Sequence, residues 1–202
     1  MYACQGGLMT NMTNQDPRPI HARAIAQTES IVGAVQDDQL GLPTPCTEYD
    51  VRALLSHMVG GLNRVAIVGE GGDGLAAPAR ADGVPDDGWL AAYQAAAART
   101  QNAWADDARL DALVEVPWGK FPGRIAVSGY IQEILTHGWD LAKATGQPTE
   151  GDPELAAQVL AIARRILPPE PRGGEIPFGP VIPVAPDATP YAQLAAWLGR
   201  QP

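Results

Sequence analysis

Apolar residues recur at helical spacing in one segment after another of this chain, and the breaks between segments are rich in proline and glycine, with no convincing alternating strand. Stripes with a period of about 3.6 residues can be buried only helix against helix, so this pattern constrains the fold more than any other feature. The first segment covers about 17–38 and carries Ile20, Ala24, Ile25, Ile31, Val32 and Val35. The second, about 48–68, starts after Pro43 and Pro45, with Thr47 as the expected cap and Asp50 in a shortened capping box. The third, about 86–106, is alanine-rich and anchored by Trp89, Tyr93 and Trp104. Pro117 and Pro122 argue for an extended connection in "LDALVEVPWGKFPG".

The fourth helix, about 124–145, should stop at Gly146, with Pro148 just beyond. A fifth, about 152–167, has Pro153 in its first turn, and a short helix over about 190–199 follows a proline-dense tail. The expected architecture is all-α: a helical bundle over 17–150, with a further C-terminal helix and an extended tail over 151–202 packed on it. Residues 1–16 read as a disordered leader, since Met9 and Met12 follow Met1 closely and the stretch has neither a basic region nor the apolar run of a secretory signal.

The chain's 202 residues suit one domain, and its 46% apolar content is enough for a core. A net charge of −9 argues against nucleic acid or an anionic membrane surface as partner. Nothing approaches the roughly 18 unbroken apolar residues of a membrane span. The two cysteines, Cys4 and Cys46, make no disulfide framework, so a reducing cytoplasm is the simpler setting. Cys46 lies at a helix start, where a thiol pKa can fall, but reads more simply as a small buried hydrophobe. The many alanines permit a homodimer without requiring one.

Chemistry concentrates in "EILTHGWDLAKATG", residues 133–146. Glu133 and His137 are four positions apart, hence on one helix face, and Tyr130 and Asp140 extend the same stripe. A carboxylate and an imidazole so placed can hold a metal from a single helix, given a third ligand from elsewhere. His57, in the apolar run "LLSHMVGG", supplies it better than His21, which lies near the start of the first helix. Two histidines and one carboxylate suit zinc or another borderline divalent ion and leave a coordination position open. Gly60 and Gly61, one turn past His57, suggest space kept for a ligand or a close helix contact. The same spacing also fits a solvated Glu/His pair and a satisfied core histidine. Asp140 could equally receive a hydrogen bond from His137 or Trp139.

"LPTPCTEYDVRALLSHMVGGL" resembles the segment opening the second helix of the mycothiol-dependent maleylpyruvate isomerase N-terminal domain group. "GYIQEILTHGWDLAKATGQP" looks like that group's glutamate–histidine–tryptophan–aspartate signature, and the closing segment resembles that of short actinobacterial members. The resemblance spans about residues 18–202. It implies a DinB-like four-helix bundle binding a divalent metal through His57, Glu133 and His137, with zinc first and nickel, iron or manganese as alternatives. Mycothiol is the implied co-substrate. The full-length isomerase has a further C-terminal domain where this sequence continues with a helix and a tail, and short relatives resemble thiol S-transferases.

The activity so implied is activation of a small thiol for addition to an electrophilic small molecule, by a transferase or isomerase. Asp140 would orient a ligand histidine, while Arg52, Arg64, Trp118 and Arg124 are candidates for anion or sugar contacts. A thiol-free hydrolase or lyase and a non-catalytic ligand-binding bundle are the alternatives.

Overall fold

The computed structural model describes residues 16–172 and 178–202, so the leader expected over 1–16 lies, but for Asp16, outside the described residues. Seven α-helices and one hairpin follow in order: α1 (Arg18–Gly33), α2 (Val51–Gly69), α3 (Trp89–Ala103), α4 (Asp107–Asp111), β1 (Leu113–Val116), β2 (Gly119–Pro122), α5 (Gly123–Thr145), α6 (Pro153–Ile166) and α7 (Pro190–Trp197). The long helices α1, α2, α3 and α5 form a four-helix bundle in which α1 packs on α5 and α3, and α2 on α3 and α5. To this α6 and α7 add a paired layer, with α6 leaning on α5 and α1.

Three apolar clusters divide the interior. Ile25 and Val32 of α1 meet Leu54, Leu55 and Leu62 of α2 and Tyr93 of α3 in the bundle's centre. Ile131, Leu135 and Trp139 of α5 instead face Leu155, Val159 and Leu160 of α6 and Leu194 of α7. Beneath them, Val65 and Val68 of α2 close with Trp104 and with Val114 and Val116 of the hairpin. Thus α5 is apolar on two faces, and its third face, toward α2, is where its polar stripe lies.

Local chemistry moves several boundaries from those expected. The start of α2 is Val51, because the Asp50 carboxylate accepts from the Ala53 N–H at 2.8 Å and takes the cap that Thr47 was expected to provide. Upstream, a bridge between Pro43 and Asp50 and the Tyr49 N–H bond to the Cys46 carbonyl hold 43–50 as a turn. At its other end, α1 stops at Gly33 rather than near 38, because Gln36 and Gln39 cap one another around a separate 3-10 turn.

The connection over 113–122 is a paired hairpin, with Leu113 opposite Pro122 and Val116 opposite Gly119. Its two prolines stand outside the four-residue runs or at an edge, so they prevent helix without preventing pairing. The other stops are as expected: Gly146 ends α5 at φ 70°, and Pro153 opens α6 under an Asp152 cap.

Candidate metal centre

The face of α5 toward α2 carries Glu133 and His137, and α2 presents His57 to them. The His57 and His137 rings meet edge to face with centroids 4.9 Å apart. His137 Nε2 lies 3.5 Å from Glu133 Oε2. The three residues bring one ligand atom each within 4.8 Å of one another. Ligand atoms on one tetrahedral zinc, with bonds of about 2.0–2.1 Å, stand about 3.3 Å apart, so the residues present fit a divalent ion of that size.

Each histidine has its other nitrogen engaged. His57 Nδ1 donates to the Ala79 carbonyl at 3.3 Å, and His137 Nδ1 donates to Asp140 Oδ2 at 3.2 Å. With both Nδ1 atoms so occupied, both Nε2 atoms are left for a metal, and the rings cannot turn without losing a hydrogen bond. Tyr49 stacks on His57 at 5.1 Å, and the Arg80 guanidinium caps Tyr49 at 4.9 Å, so the ring of His57 is clamped from the loop side as well.

Burial pushes the His57 pKa down, and the neighbouring His137 charge adds to this. For His137 burial works downward too, but hydrogen bonds to Asp140 and Glu133 outweigh it and hold the pKa near 9. Burial would raise Asp140, yet hydrogen bonds from His137 and Arg200 keep it below the ordinary range. Glu133 is likewise lowered, its burial offset by the His137 hydrogen bond. The two carboxylates are thus balanced by the His137 imidazolium and the Arg200 guanidinium, and a divalent cation would take the place of the imidazolium's proton.

Sequence reasoning missed four groups: the Ala79 carbonyl, Tyr49, Arg80 and Arg200. Tyr49 sits beside the quoted "TPC" and could have been noticed as an aromatic eight residues before His57. Nothing marks a carbonyl in a Gly/Pro loop. Arg200 reaches Asp140 from near the chain's end, through Nε to Oδ1 at 2.9 Å and Nη2 to Oδ2 at 2.8 Å.

A second group of ligand types, Cys46, His137 and Asp140, also lies within 4.8 Å. Its place for a cation is already taken, because the Arg200 guanidinium sits on the carboxylate, and burial raises the Cys46 pKa rather than lowering it. That leaves His57, Glu133 and His137 as the open set among the described residues.

The expected anion and sugar contacts separate into two pairs. Arg52 is paired with Asp86 at 2.7 Å, and Arg124 with Asp111. Arg64 stands close enough to His57 for its charge to join burial in lowering that pKa, and Trp118 reaches Tyr130, one turn before Glu133 on α5. Arg64, two turns along α2 from His57, donates through Nε and Nη2 to the Ala77 carbonyl. Trp118, at the hairpin tip, lies edge-on to Tyr130 at 4.9 Å, and Gly129 has no Cβ to obstruct the indole.

Of the two α2 glycines, Gly60 answers a close contact, since a Cβ there would meet the Ala79 and Arg80 backbone at 2.7 Å. Gly61 faces open space, with nothing within 4 Å. Among the described residues no helix is long and apolar enough to cross a membrane.

Fold and site together define a class: a helical bundle that places two histidines and a carboxylate in the seam between two of its helices. Within that class, the chain belongs to the mycothiol maleylpyruvate isomerase N-terminal domain family, whose pattern it matches over residues 21–142. Uncharacterized protein Rv0738 of Mycobacterium tuberculosis is 40% identical over 185 residues, covering 92% of this chain and 98% of that one. A counterpart from a second strain of that species matches equally. Crystal structures of the mycothiol-dependent maleylpyruvate isomerase superpose with a TM-score of 0.56 at 14% identity, and at 15% for a histidine-to-alanine mutant. They show the same DinB-like bundle, but the match covers 71% of this chain and 66% of the isomerase, less than two thirds of that enzyme's length.

Proposed function

We propose that the chain is a metal-dependent enzyme that activates a small thiol, mycothiol in the first instance, for addition to an electrophilic small molecule. The observation that carries this reading is the pair of histidines, each with Nδ1 engaged, that brings one ligand atom apiece within 4.8 Å of a Glu133 oxygen and of each other. A divalent metal held by His57, Glu133 and His137 supplies Lewis acidity that favours thiolate over thiol at neutral pH.

The chain's own residues position and select. Ala79, Tyr49 and Asp140 hold the histidine rings. Gly61 leaves room beside His57, with Arg64 one turn beyond on α2 to attract an anionic group and Trp118 with Tyr130 to offer an aromatic wall. Cys46 is no substitute nucleophile, because burial keeps its thiol protonated. Belonging to a family named for mycothiol supports the thiol as co-substrate.

The test is metal analysis of the purified full chain, followed by mass spectrometry of adducts formed from mycothiol and a panel of activated alkenes, epoxides and halides. One equivalent of metal and metal-dependent adducts are expected. A metal-free protein with no adducts after zinc is added would end this reading, and turnover without any thiol would replace it with a metal-dependent hydrolase or lyase.

A further inference from the structure

We propose that Arg200 is a positioning residue of the metal centre: from the end of the chain it fixes the Asp140 carboxylate, and through it the orientation of His137. The inference rests on the metal reading above, and extends it to a residue outside the segment that matches the family.

The contact is built rather than incidental. Asp140 has no exposed side-chain surface, and Arg200 grips both its oxygens while keeping 13% of its own side chain exposed. A bidentate guanidinium–carboxylate pair fixes the carboxylate plane, which a single hydrogen bond cannot do. Asp140 Oδ2 is the atom shared with His137 Nδ1, so the plane that Arg200 sets is the plane the imidazole must follow. A ligand histidine whose far nitrogen is held in this way presents its near nitrogen in one direction only.

The backbone is shaped to deliver this arginine. After α7 the chain turns through Gly199 at φ 80°, with the Gly199 N–H bonded to the Ala196 carbonyl and the Arg200 N–H to the Ala195 carbonyl. A side chain at Gly199 would be strained at that φ and would also meet the Gly179 backbone at 2.8 Å. The tail segment at 179 therefore packs directly against the turn that aims Arg200. The turn after α7, braced by that segment, thus delivers Arg200 to Asp140.

The experiment compares the full-length wild type with Arg200→Ala and Arg200→Lys, titrating cobalt(II) against a chromophoric chelator and recording its visible spectrum. Arg200→Ala should weaken cobalt binding about 10- to 100-fold, the range seen when a ligand's outer partner is lost, and should change the cobalt band. Arg200→Lys should recover part of the affinity, because it restores charge without the two-pronged grip. If Arg200→Ala binds cobalt within twofold of wild type with the same band, Arg200 merely staples the tail, even if thermal stability falls, and the proposal is overturned.

Should Arg200→Ala not fold, Arg200→Lys and Arg200→Gln carry the same comparison. Should the wild type bind no cobalt, the metal reading fails by itself. Nitrogen-edited NMR of the metal-free protein then decides: the His137 Nδ1 proton should be held in wild type and lost to exchange in the variant, and an unchanged signal overturns the proposal.

Discussion

His57 and His137 stand on different helices, with their rings 89° apart and each ring's Nδ1 tied to a different kind of acceptor. One acceptor is a loop carbonyl and the other a buried carboxylate, and both leave Nε2 unclaimed by those bonds. Each ligand can therefore be removed without dismantling its neighbour's support. His57→Ala, Glu133→Gln and His137→Ala are expected to fold, with helical circular dichroism close to wild type. Each should reduce metal content from one equivalent to less than a tenth at equal free metal, measured by elemental analysis after gel filtration. Retention of full metal in His57→Ala would show that the ion is held somewhere else.

Gly60 and Gly61 are adjacent in sequence and opposite in consequence. At Gly60 a methyl would press on the backbone of Ala79 and Arg80, the loop whose carbonyl holds His57 Nδ1. Gly60→Ala should lower stability by about 1–3 kcal/mol and weaken metal binding as the loop is displaced. Gly61→Ala meets open space and should gain up to about 1 kcal/mol from helix propensity, with metal content unchanged. Urea titrations of both variants, with metal analysis alongside, check the pair. A destabilised Gly61→Ala would show that the space beside His57 is not open.

Helical period and punctuation made the bundle legible, since proline and glycine act through local φ restrictions that need no tertiary context. Gly146 and Pro153 fall where such rules place them. Thr47 did not, because a cap is decided by which oxygen reaches the third amide, and Asp50 was closer to the first buried residue, Val51. The hairpin escaped notice because two four-residue strands are too short for alternation to stand out, although Val114 and Val116 do alternate with Leu113 and Glu115. Spacing put Glu133, His137 and Asp140 on one helix, but it could not locate Arg200, 60 residues downstream of its carboxylate. Long-range partners of that kind depend on how α6 and the tail fold back, and nothing local encodes it. Arg52 and Arg124 looked equally suited to a ligand in sequence, and in the fold they pair with Asp86 and Asp111.

Gly123 joins the hairpin to α5 at the tightest point of the lower core. Its missing side chain would lie on the Arg109 carbonyl oxygen, 2.6 Å from a Trp104 ring carbon and 3.1 Å from the Leu110 Cα. Two of these are backbone atoms of α4, which cannot swing away as a side chain could, and the Gly123 N–H is bonded to the Ala112 carbonyl at the same place. Gly123→Ala should cost about 3 kcal/mol, from overpacking against fixed backbone. Denaturant unfolding measures it, and a loss below about 0.5 kcal/mol would show that α4 is loosely held.

His21 gives the fold a dependence on pH that has nothing to do with the metal. It is 3% exposed, its Nε2 has no partner in the described structure, and burial drives its pKa from 6.5 to about 4. Between those values the unfolded chain binds a proton that the folded chain refuses, so stability falls as pH falls through this window and is unaffected above it. For this one group the loss reaches about 2 kcal/mol at about pH 5. Other groups titrate too, and His137, with its pKa raised to about 9, contributes in the opposite sense because its charged form is favoured by folding. The measurement is therefore a difference: urea unfolding of wild type and His21→Leu at about pH 7 and about pH 5, in which terms from distant groups cancel. The variant should lose less stability on acidification than wild type by about 2 kcal/mol. Parallel pH profiles would mean that His21 is hydrated or paired in solution, and that its burial carries no linkage.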